Sequence, residues 1–185
     1  MKADFKVCLD ACVLANFRLA DLFLRLAEKP RLYTPVWSSE ILEEMVRTQT
    51  TKLGWPEEIA ESMRSEMGKS FPQAQTDDYE QYLPALTNDP KDRHVLAATI
   101  RAGSSLIVTF NLKDFSPEAL EPWSIEAKSP DDYLLTLYDH APSQFSSRIG
   151  AASVRHQEDP LVTVGKLAVP CPNLTSKLID DLDLA

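Results

Sequence analysis

The chain has 185 residues, of which 44% are hydrophobic and 25% are charged, and its formal net charge is −9 at pH 7. This size and composition predict a globular domain with a hydrophobic core, and no apolar run approaches the roughly 20 residues that a membrane helix needs. The negative charge argues against a nonspecific coat on nucleic acid and suits either a basic protein partner or a group of metal-binding carboxylates.

The N-terminal sequence and the cysteines indicate the compartment. MKADFKVCLD lacks the apolar stretch of a signal peptide before an acid appears. The three cysteines, Cys8, Cys12 and Cys171, are odd in number and do not form a metal-type cluster. Such usage is typical of a reducing compartment. We therefore expect a cytoplasmic protein whose cysteines are small apolar packing residues, in preference to ligands or a redox pair.

Apolar runs of strand type alternate with helical patterns in the first half of the chain. The stretch 13–28 carries leucines and a phenylalanine at helical spacing and ends before Pro30. The stretch 38–48 begins with two serines that can cap a helix. The predicted elements of this half are strands at 5–9 and 32–36 and helices at 13–28, 38–48, 56–70 and 76–84.

The second half continues the alternation. The sequence DPKDRHVLAATIRAG (89–103) predicts a helix with Asp89 as N-cap, Pro90 at its first position and Gly103 just past its end. Strands are predicted at 105–110 and 124–127, a helix at 129–142, and two or three short helices in the remaining tail. This order predicts an α/β fold with a mostly parallel sheet and helices on both faces. We expect a core domain at 1–128 and a C-terminal helical extension, 129–185, packed on it.

Three aspartates stand where such a fold keeps its chemistry. Asp10 closes the first strand, Asp114 follows the last buried strand, and Asp92 lies on the apolar side of the helix between them. Each has an ordinary alternative role, as a helix cap, a turn former or a charge at a helix N-terminus. Together they predict carboxylates in one cleft, which repel each other unless protons or cations neutralise them. Ligation by oxygen alone favours Mg²⁺ or Mn²⁺.

The glutamates of the second predicted helix are harder to assign. Glu40, Glu43 and Glu44 all lie off its apolar face, so periodicity does not choose among them.

Four segments carry a resemblance to PIN-domain nucleases. VCLDACVL, VWSSEILEEM, NDPKDRHVLAATI and IVTFNLKDF are similar to the successive motifs of that family and occur in the expected order over residues 5 to 128. The last two are the most specific. The resemblance implies a compact three-layer α/β/α fold around a parallel sheet. It also implies a metal-dependent ribonuclease, often the toxin of a VapBC-type toxin–antitoxin pair.

The resemblance also implies a set of site residues. Asp10, Glu44, Asp92 and Asp114 match the four acids of the family, which would be both catalytic and ligands of Mg²⁺ or Mn²⁺. Two residues of the last motif, Thr109 and Asn111, would be supporting polar groups, although many relatives have Asp in place of Asn111. A further departure is Cys12, since many relatives have a Thr-Asn pair where this chain has Ala11-Cys12.

RNA, an antitoxin and a second copy of the chain are the expected partners. Lys91, Arg93 and Lys113 are each adjacent to a proposed ligand and are candidate phosphate contacts, although an ordinary solvated face explains them equally well. The helices at 13–28 and 38–53 carry more Leu, Phe and Met than one sheet face can cover, and in relatives such helices form a homodimer contact and an antitoxin groove. Plain core packing is the alternative.

Two other classes of protein compete with the nuclease. One is a catalytically weak PIN-like module that binds RNA or protein without cutting. The other is a different doubly wound protein, an aspartyl-phosphate phosphatase or a receiver domain. The phosphatase requires a second Asp two residues after the first, where this chain has Cys12, and no convincing receiver pair is present.

Overall fold

A four-stranded parallel sheet forms the centre of the fold. The structure is a computed structural model that describes residues 5–183. The strands are β1 (Lys6–Leu9), β2 (Thr34–Val36), β3 (Leu106–Val108) and β4 (Glu126–Lys128), in the order β2-β1-β3-β4. Every neighbouring pair is parallel, so the carboxyl ends of all four strands lie at one edge. The predicted parallel sheet is confirmed, although each strand is shorter than its apolar run.

Helices flank this sheet on both faces. They are α1 (Ala11–Leu14), α2 (Phe17–Ala27), α3 (Ser39–Thr51), α4 (Glu57–Ser70), α5 (Arg93–Ala102), α6 (Pro117–Leu120), α7 (Pro130–His140), α8 (Pro142–His156), α9 (Pro160–Gly165) and α10 (Pro172–Asp183). The three-layer α/β/α architecture expected from the sequence is therefore confirmed. Within residues 5–183, none of these helices combines the length and the apolar character that a bilayer span requires.

The single helix predicted at 13–28 is two helices. Asn16 has an extended backbone conformation and its side-chain oxygen accepts a hydrogen bond from the Leu19 amide at 3.2 Å, which starts α2. The apolar periodicity runs across the break, so spacing alone does not detect it. A local cap therefore overrides the helical pattern at this point.

The start of α5 also differs from the prediction. Asp89 accepts a hydrogen bond from the Lys91 amide in a turn that precedes the helix, so it is not the N-cap, and Pro90 is not the first helical residue. Asp92 takes the N-cap position, where its backbone carbonyl accepts from the amides of Val95 and Leu96. Its carboxylate makes no capping hydrogen bond and remains available to the carboxyl edge of the sheet. The predicted end at Gly103 is confirmed, with a left-handed φ of 64°.

The prediction of an α-helix at 76–84 is wrong as well. The chain forms a 3₁₀ helix at Glu80–Ala85, which contains Pro84. A proline inside a helix removes an amide donor and crowds the preceding turn, which disfavours a regular α-helix.

The C-terminal extension shares its core with the sheet domain. Tyr133 on α7 stacks on Phe23 of α2, with ring centroids 6.3 Å apart. α8 packs on α2, and α10 packs on α7. The buried Asp131 carboxylate accepts from the amide of Leu174 and from the amide and side chain of Asn173, at 2.9–3.0 Å. It thereby holds the N-terminus of α10 against α7.

This packing corrects the expectation that the first helices expose much apolar surface. The leucines and Phe23 of α2 that define its apolar stripe are buried, and so are Ile41, Leu42, Met45 and Val46 of α3. α8 covers α2, while α1 and α4 cover α3. In the segments 13–28 and 38–53, the large hydrophobic side chains that stay more than a third exposed are Phe17 and Leu53.

Candidate active site

Asp10 is a buried and firmly oriented carboxylate at the end of β1. It is only 3% exposed. Its Oδ2 accepts a hydrogen bond from the Thr109 hydroxyl at 2.5 Å and another from the Cys12 thiol at 3.2 Å. Its backbone carbonyl accepts from the amides that begin α1, so the chain turns sharply away from the sheet at this residue. The two donors to one carboxylate oxygen fix the direction in which the group points.

Cys12 donates a hydrogen bond to Asp10 from the position where many relatives have a polar residue. Burial, together with the charge of Asp10, raises the pKa of Cys12 to about 12, so its sulfur stays a protonated thiol that can donate to Asp10. The same sulfur accepts from the Phe110 amide at 3.4 Å and lies 3.5 Å from the Thr109 hydroxyl. The thiols of Cys8 and Cys12 are both free, so the two residues are not a disulfide pair.

Asp92 shows that the predicted acids lie close enough to influence one another. Burial raises its pKa to about 6, and four neighbouring carboxylates add to the increase, in the order Asp10, Asp114, Asp89 and Glu44. The structure therefore brings three acids predicted from strand ends and helix position into one electrostatic neighbourhood.

The last motif forms a short turn behind β3. A 3₁₀ helix at Leu112–Asp114 follows the strand and carries the partly buried Asp114. The Asn111 amide donates to the Thr109 hydroxyl oxygen at 3.0 Å, while the residue itself is exposed. Thr109 is thus the supporting group that touches Asp10, and Asn111 contributes its backbone to the arrangement.

Glu44 stands apart from the aspartates because two basic side chains lie beside it. Its carboxylate lies 3.5 Å from His94 Nε2 and 3.6 Å from Arg47. The neighbouring His94 is the main cause of a lowered pKa of Glu44, so this side chain is ionised at neutral pH. Burial alone would lower the pKa of His94, but Glu44 and Glu40 outweigh it and raise that pKa above its ordinary value. Glu40 also accepts a hydrogen bond from Tyr79 at 2.5 Å.

An open pocket of about 680 Å³ lies on the outer side of Glu44. Most of its titratable lining is acidic, and the lining residues are Ser39, Glu40, Glu43, Glu44, Arg47, Asp77, Asp78, Tyr79, Glu80, Lys91 and His94. Asp10, Asp92 and Asp114 are not part of this lining. Glu44 therefore lines the pocket and also acts on the charge of Asp92, and any polyanion that enters the pocket meets a mainly negative surface.

The acids of the site offer the kind of ligand atoms that a hard divalent cation prefers, but their side chains are too far apart to bind one ion. Asp10, Asp92 and Asp114 offer only carboxylate oxygens, the ligands that Mg²⁺ and Mn²⁺ prefer. Burial and then the charges of Asp10 and Asp114 raise the pKa of Asp92, and a cation would relieve the repulsion among these acids. Within residues 5–183, however, no three His, Cys, Asp or Glu side chains converge closely enough to hold a metal ion as they stand. Ligation here requires the carboxylates to move inward.

The three candidate phosphate contacts differ in how available they are. Lys91 and Lys113 are exposed. Arg93 is partly buried and its Nε donates to the Asn88 carbonyl at 3.3 Å. Arg93 thus has a structural role in closing the turn before α5, and the two lysines are the better candidates for contact with a ligand.

Two residues of the site were missed as functional groups from sequence. His94 lies among apolar residues on α5 and resembles part of the core stripe, whereas it is the partner of Glu44. In the sequence, Cys12 stands where many relatives have a polar residue and so suggests the loss of a supporting group, whereas in the structure its thiol donates a hydrogen bond to Asp10. A histidine inside an apolar stripe, with glutamates on another helix of the same domain, is the signal that could have identified the first pair.

Comparison with known proteins agrees with this geometry. A family described as "PIN domain" matches residues 4–113. The chain is 49% identical over 61 residues to "Putative ribonuclease VapC50" of Mycobacterium tuberculosis (strain ATCC 25618 / H37Rv). That alignment covers 33% of this chain and 36% of the relative, so the chain spans about a third of the relative's length. Solved structures give no match. Since the matched family region is more than half of the chain, the protein belongs to the PIN domain family.

Proposed function

We propose that the protein is a metal-dependent endoribonuclease. The observation that carries the proposal is the grouping of Asp92 with Asp10 and Asp114 at the carboxyl edge of the sheet, where burial and then the charges of these two acids raise the pKa of Asp92 to about 6. Carboxylates are not gathered in this way for stability, because like charges in a partly buried cleft destabilise the fold. Membership of the PIN domain family and the name of the similar mycobacterial protein support the choice of RNA as substrate.

Asp10, Asp92 and Asp114 would hold Mg²⁺ or Mn²⁺, with Glu44 joining directly or through water. The ion would supply activation of water and stabilisation of charge on the phosphate oxygens. The chain's own contribution is orientation. Thr109 and Cys12 fix the Asp10 carboxylate, and His94 holds Glu44 ionised at the rim of the site.

The proposal is tested by cleavage of single-stranded RNA in metal-free buffer with a chelator, followed by return of Mg²⁺ or Mn²⁺. Cleavage is expected only after the metal returns, with products that carry a 3′-hydroxyl and a 5′-phosphate. Asp10→Asn and Asp92→Asn should abolish it while the fold survives. Cleavage by both variants at the wild-type rate would show that these acids are not the catalytic site.

We further propose that the protein is the toxin of a toxin–antitoxin pair acting in the cytoplasm. An unrestrained ribonuclease harms its own cell, and the net charge of −9 suits an inhibitor with a basic helical segment. An inhibitor of this kind would place an Arg or Lys among the acids, where a guanidinium can substitute for the metal's charge. The acid-rich pocket beside Glu44 offers room for such a group.

Growth of cells tests the toxin role. Expression of the wild-type chain alone should arrest growth, Asp10→Asn should not, and a small neighbouring basic protein should relieve the arrest. We also expect a homodimer, which sedimentation of the purified protein would detect. Harmless expression of folded, metal-loaded wild type would remove the toxin role and leave the nuclease activity intact.

A catalytically weak RNA- or protein-binding module is the second candidate. The specific observation in its favour is that no three metal-ligating side chains in the described residues 5–183 stand at ligating separation. If RNA binds with the same affinity in chelator and in Mg²⁺ and is never cut in either, this second function is the correct one.

A further inference from the structure

Phe110 is an exposed aromatic residue next to Thr109 and Cys12, the two residues that donate hydrogen bonds to Asp10. It is 42% exposed. Its amide donates to the sulfur of Cys12, and its neighbour Thr109 donates to Asp10. Both residues that orient the Asp10 carboxylate therefore also fix the backbone of Phe110. The same hydrogen bonds that build the proposed site therefore hold the backbone from which this ring projects.

The ring of Phe110 differs from the other phenylalanine rings. Phe23, Phe71, Phe115 and Phe145 are buried, and Phe5 is partly buried against the core. Phe17 is as exposed as Phe110, but it packs near the rings of Trp55 and His156, with centroids 6.0 and 5.6 Å away. No ring contact of Phe110 with another aromatic side chain occurs in the part of the chain that the structure describes. An exposed ring without such a neighbour offers a face on which a flat ligand can stack.

The charge of the surroundings indicates what that ligand is. The pocket on the outer side of Glu44 is mainly acidic and the whole chain carries −9, so the charge of the protein as a whole does not favour the approach of RNA phosphates. Stacking of bases on aromatic side chains does not depend on charge and accepts any base. An acidic nuclease therefore needs contacts of this kind more than a basic one does.

We propose that Phe110 stacks on one nucleobase of the RNA next to the scissile phosphate and is a substrate-binding residue of the site. The inference rests on the proposed ribonuclease function and deepens it. A base is available for stacking only if it is unpaired, so the substrate class is single-stranded or looped RNA at that nucleotide. Leu112, which is 41% exposed two residues away, extends the apolar surface without offering a ring.

The first test measures binding in chelator and cleavage in Mn²⁺, using a short fluorescent single-stranded RNA of mixed sequence. Phe110→Leu should weaken binding and raise KM by about 5- to 100-fold, the range for loss of one stacked base. The kcat and the salt dependence of binding should stay as in wild type, because no charge changes. Phe110→Tyr should keep wild-type binding, and Leu112→Ala should change it much less than Phe110→Leu does.

The second test removes the base in place of the ring. RNAs with one abasic nucleotide at each position in turn should contain one position at which wild type loses the same affinity. At that position Phe110→Leu should cause no further loss, which is the coupling expected of two groups in direct contact. Additive losses at every position would overturn the stacking proposal.

The outcomes separate this inference from the proposed function. If wild type cuts RNA and Phe110→Leu binds and cuts it equally well, the stacking role is wrong and the nuclease stands. If Phe110→Leu keeps its RNA affinity but loses self-association in sedimentation, the ring belongs to a protein contact and the stacking role is again wrong. If wild type neither binds nor cuts RNA in Mn²⁺, both proposals fail.

Discussion

Replacing Asp92 by Asn should stabilise the protein while it destroys the proposed activity. Asn has nearly the same shape and is an equally good residue at a helix N-cap, so α5 should begin as before. The change removes a charge that lies among Asp10, Asp114, Asp89 and Glu44. The neutral Asn side chain would carry neither the cost of burying a charge nor this repulsion, so Asp92→Asn should raise the free energy of unfolding in metal-free buffer.

The size and pH dependence of the effect follow from the raised pKa. A pKa moved from 3.8 to about 6 corresponds to roughly 3 kcal/mol, but Asp92 is only partly buried, so screening by solvent reduces the expected gain to about 1 kcal/mol. The folded state binds the proton of Asp92 more tightly than the unfolded state does. The wild type is therefore relatively most stable below pH 3.8 and loses that contribution as the pH rises through 6.

Urea unfolding in chelator at several pH values checks this reasoning. The advantage of Asp92→Asn should be complete above pH 7, should fall to about half near pH 5, and should vanish near pH 4. Asp139→Asn, an exposed acid in the last turn of α7, is the matched control and should show little effect at any pH. A variant less stable than wild type at pH 7.5, or a gain that does not change with pH, would refute the idea that burial and the neighbouring carboxylates destabilise ionised Asp92.

Three other changes test neighbouring parts of the structure. In thermal unfolding, the Mn²⁺ concentration that gives half of the maximal stabilisation should be roughly 5- to 10-fold higher for Cys12→Ala than for wild type, because Asp10 loses a hydrogen-bond donor. Cys12→Ser should return this concentration to the wild-type value. Neutralising Lys91, Arg93 and Lys113 should lower the slope of log binding constant against log salt concentration by about 0.7 for each RNA phosphate that the protein no longer contacts. An unchanged slope would show that these three residues do not bind RNA. Asp131→Asn should lower the free energy of unfolding by about 1–3 kcal/mol and expose α10 to protease, because amides at the start of that helix lose a hydrogen-bond acceptor. The control variant Asp180→Asn, which changes an exposed residue, should have neither effect. Unchanged protection of α10 would show that apolar packing alone docks it.

The sheet and its acids were predictable because their signals are local. Apolar runs followed at once by Asp10 and, across a short turn, by Asp114 mark strand ends, and parallel strands bring such ends to one edge. The end of α5 was also predictable, since Gly103 adopts the left-handed conformation that suits glycine. In each case the residue that decides the structure lies within a few positions of the feature that it produces.

The errors arose where two local signals compete or where the partner is distant in sequence. Asn16 and Asp92 each compete with a nearby alternative helix start, and tertiary packing decides the outcome. The contact of Cys12 with Thr109 joins residues 97 positions apart, so no local pattern contains it. His94 and Glu44 lie on different helices, and their pairing depends on how α3 and α5 pack. The sequence can mark His94 as a candidate, and the fold then shows which glutamate it meets.

The acids of the site differ in how firmly they are held, and this difference explains why a ready-made metal cage is not required. Asp10 is buried and fixed by two donors, so it cannot move without breaking hydrogen bonds. Asp92 is only partly buried, makes no capping hydrogen bond and is raised in pKa, so little restrains it and repulsion keeps it away from its neighbours. In the proposed enzyme a cation would replace that repulsion with attraction, and Asp92, which the fold restrains less than Asp10, would be the side chain that moves. The rigid carboxylate of Asp10 would then set the position of the site, and the less restrained carboxylate of Asp92 would make its assembly depend on the ion.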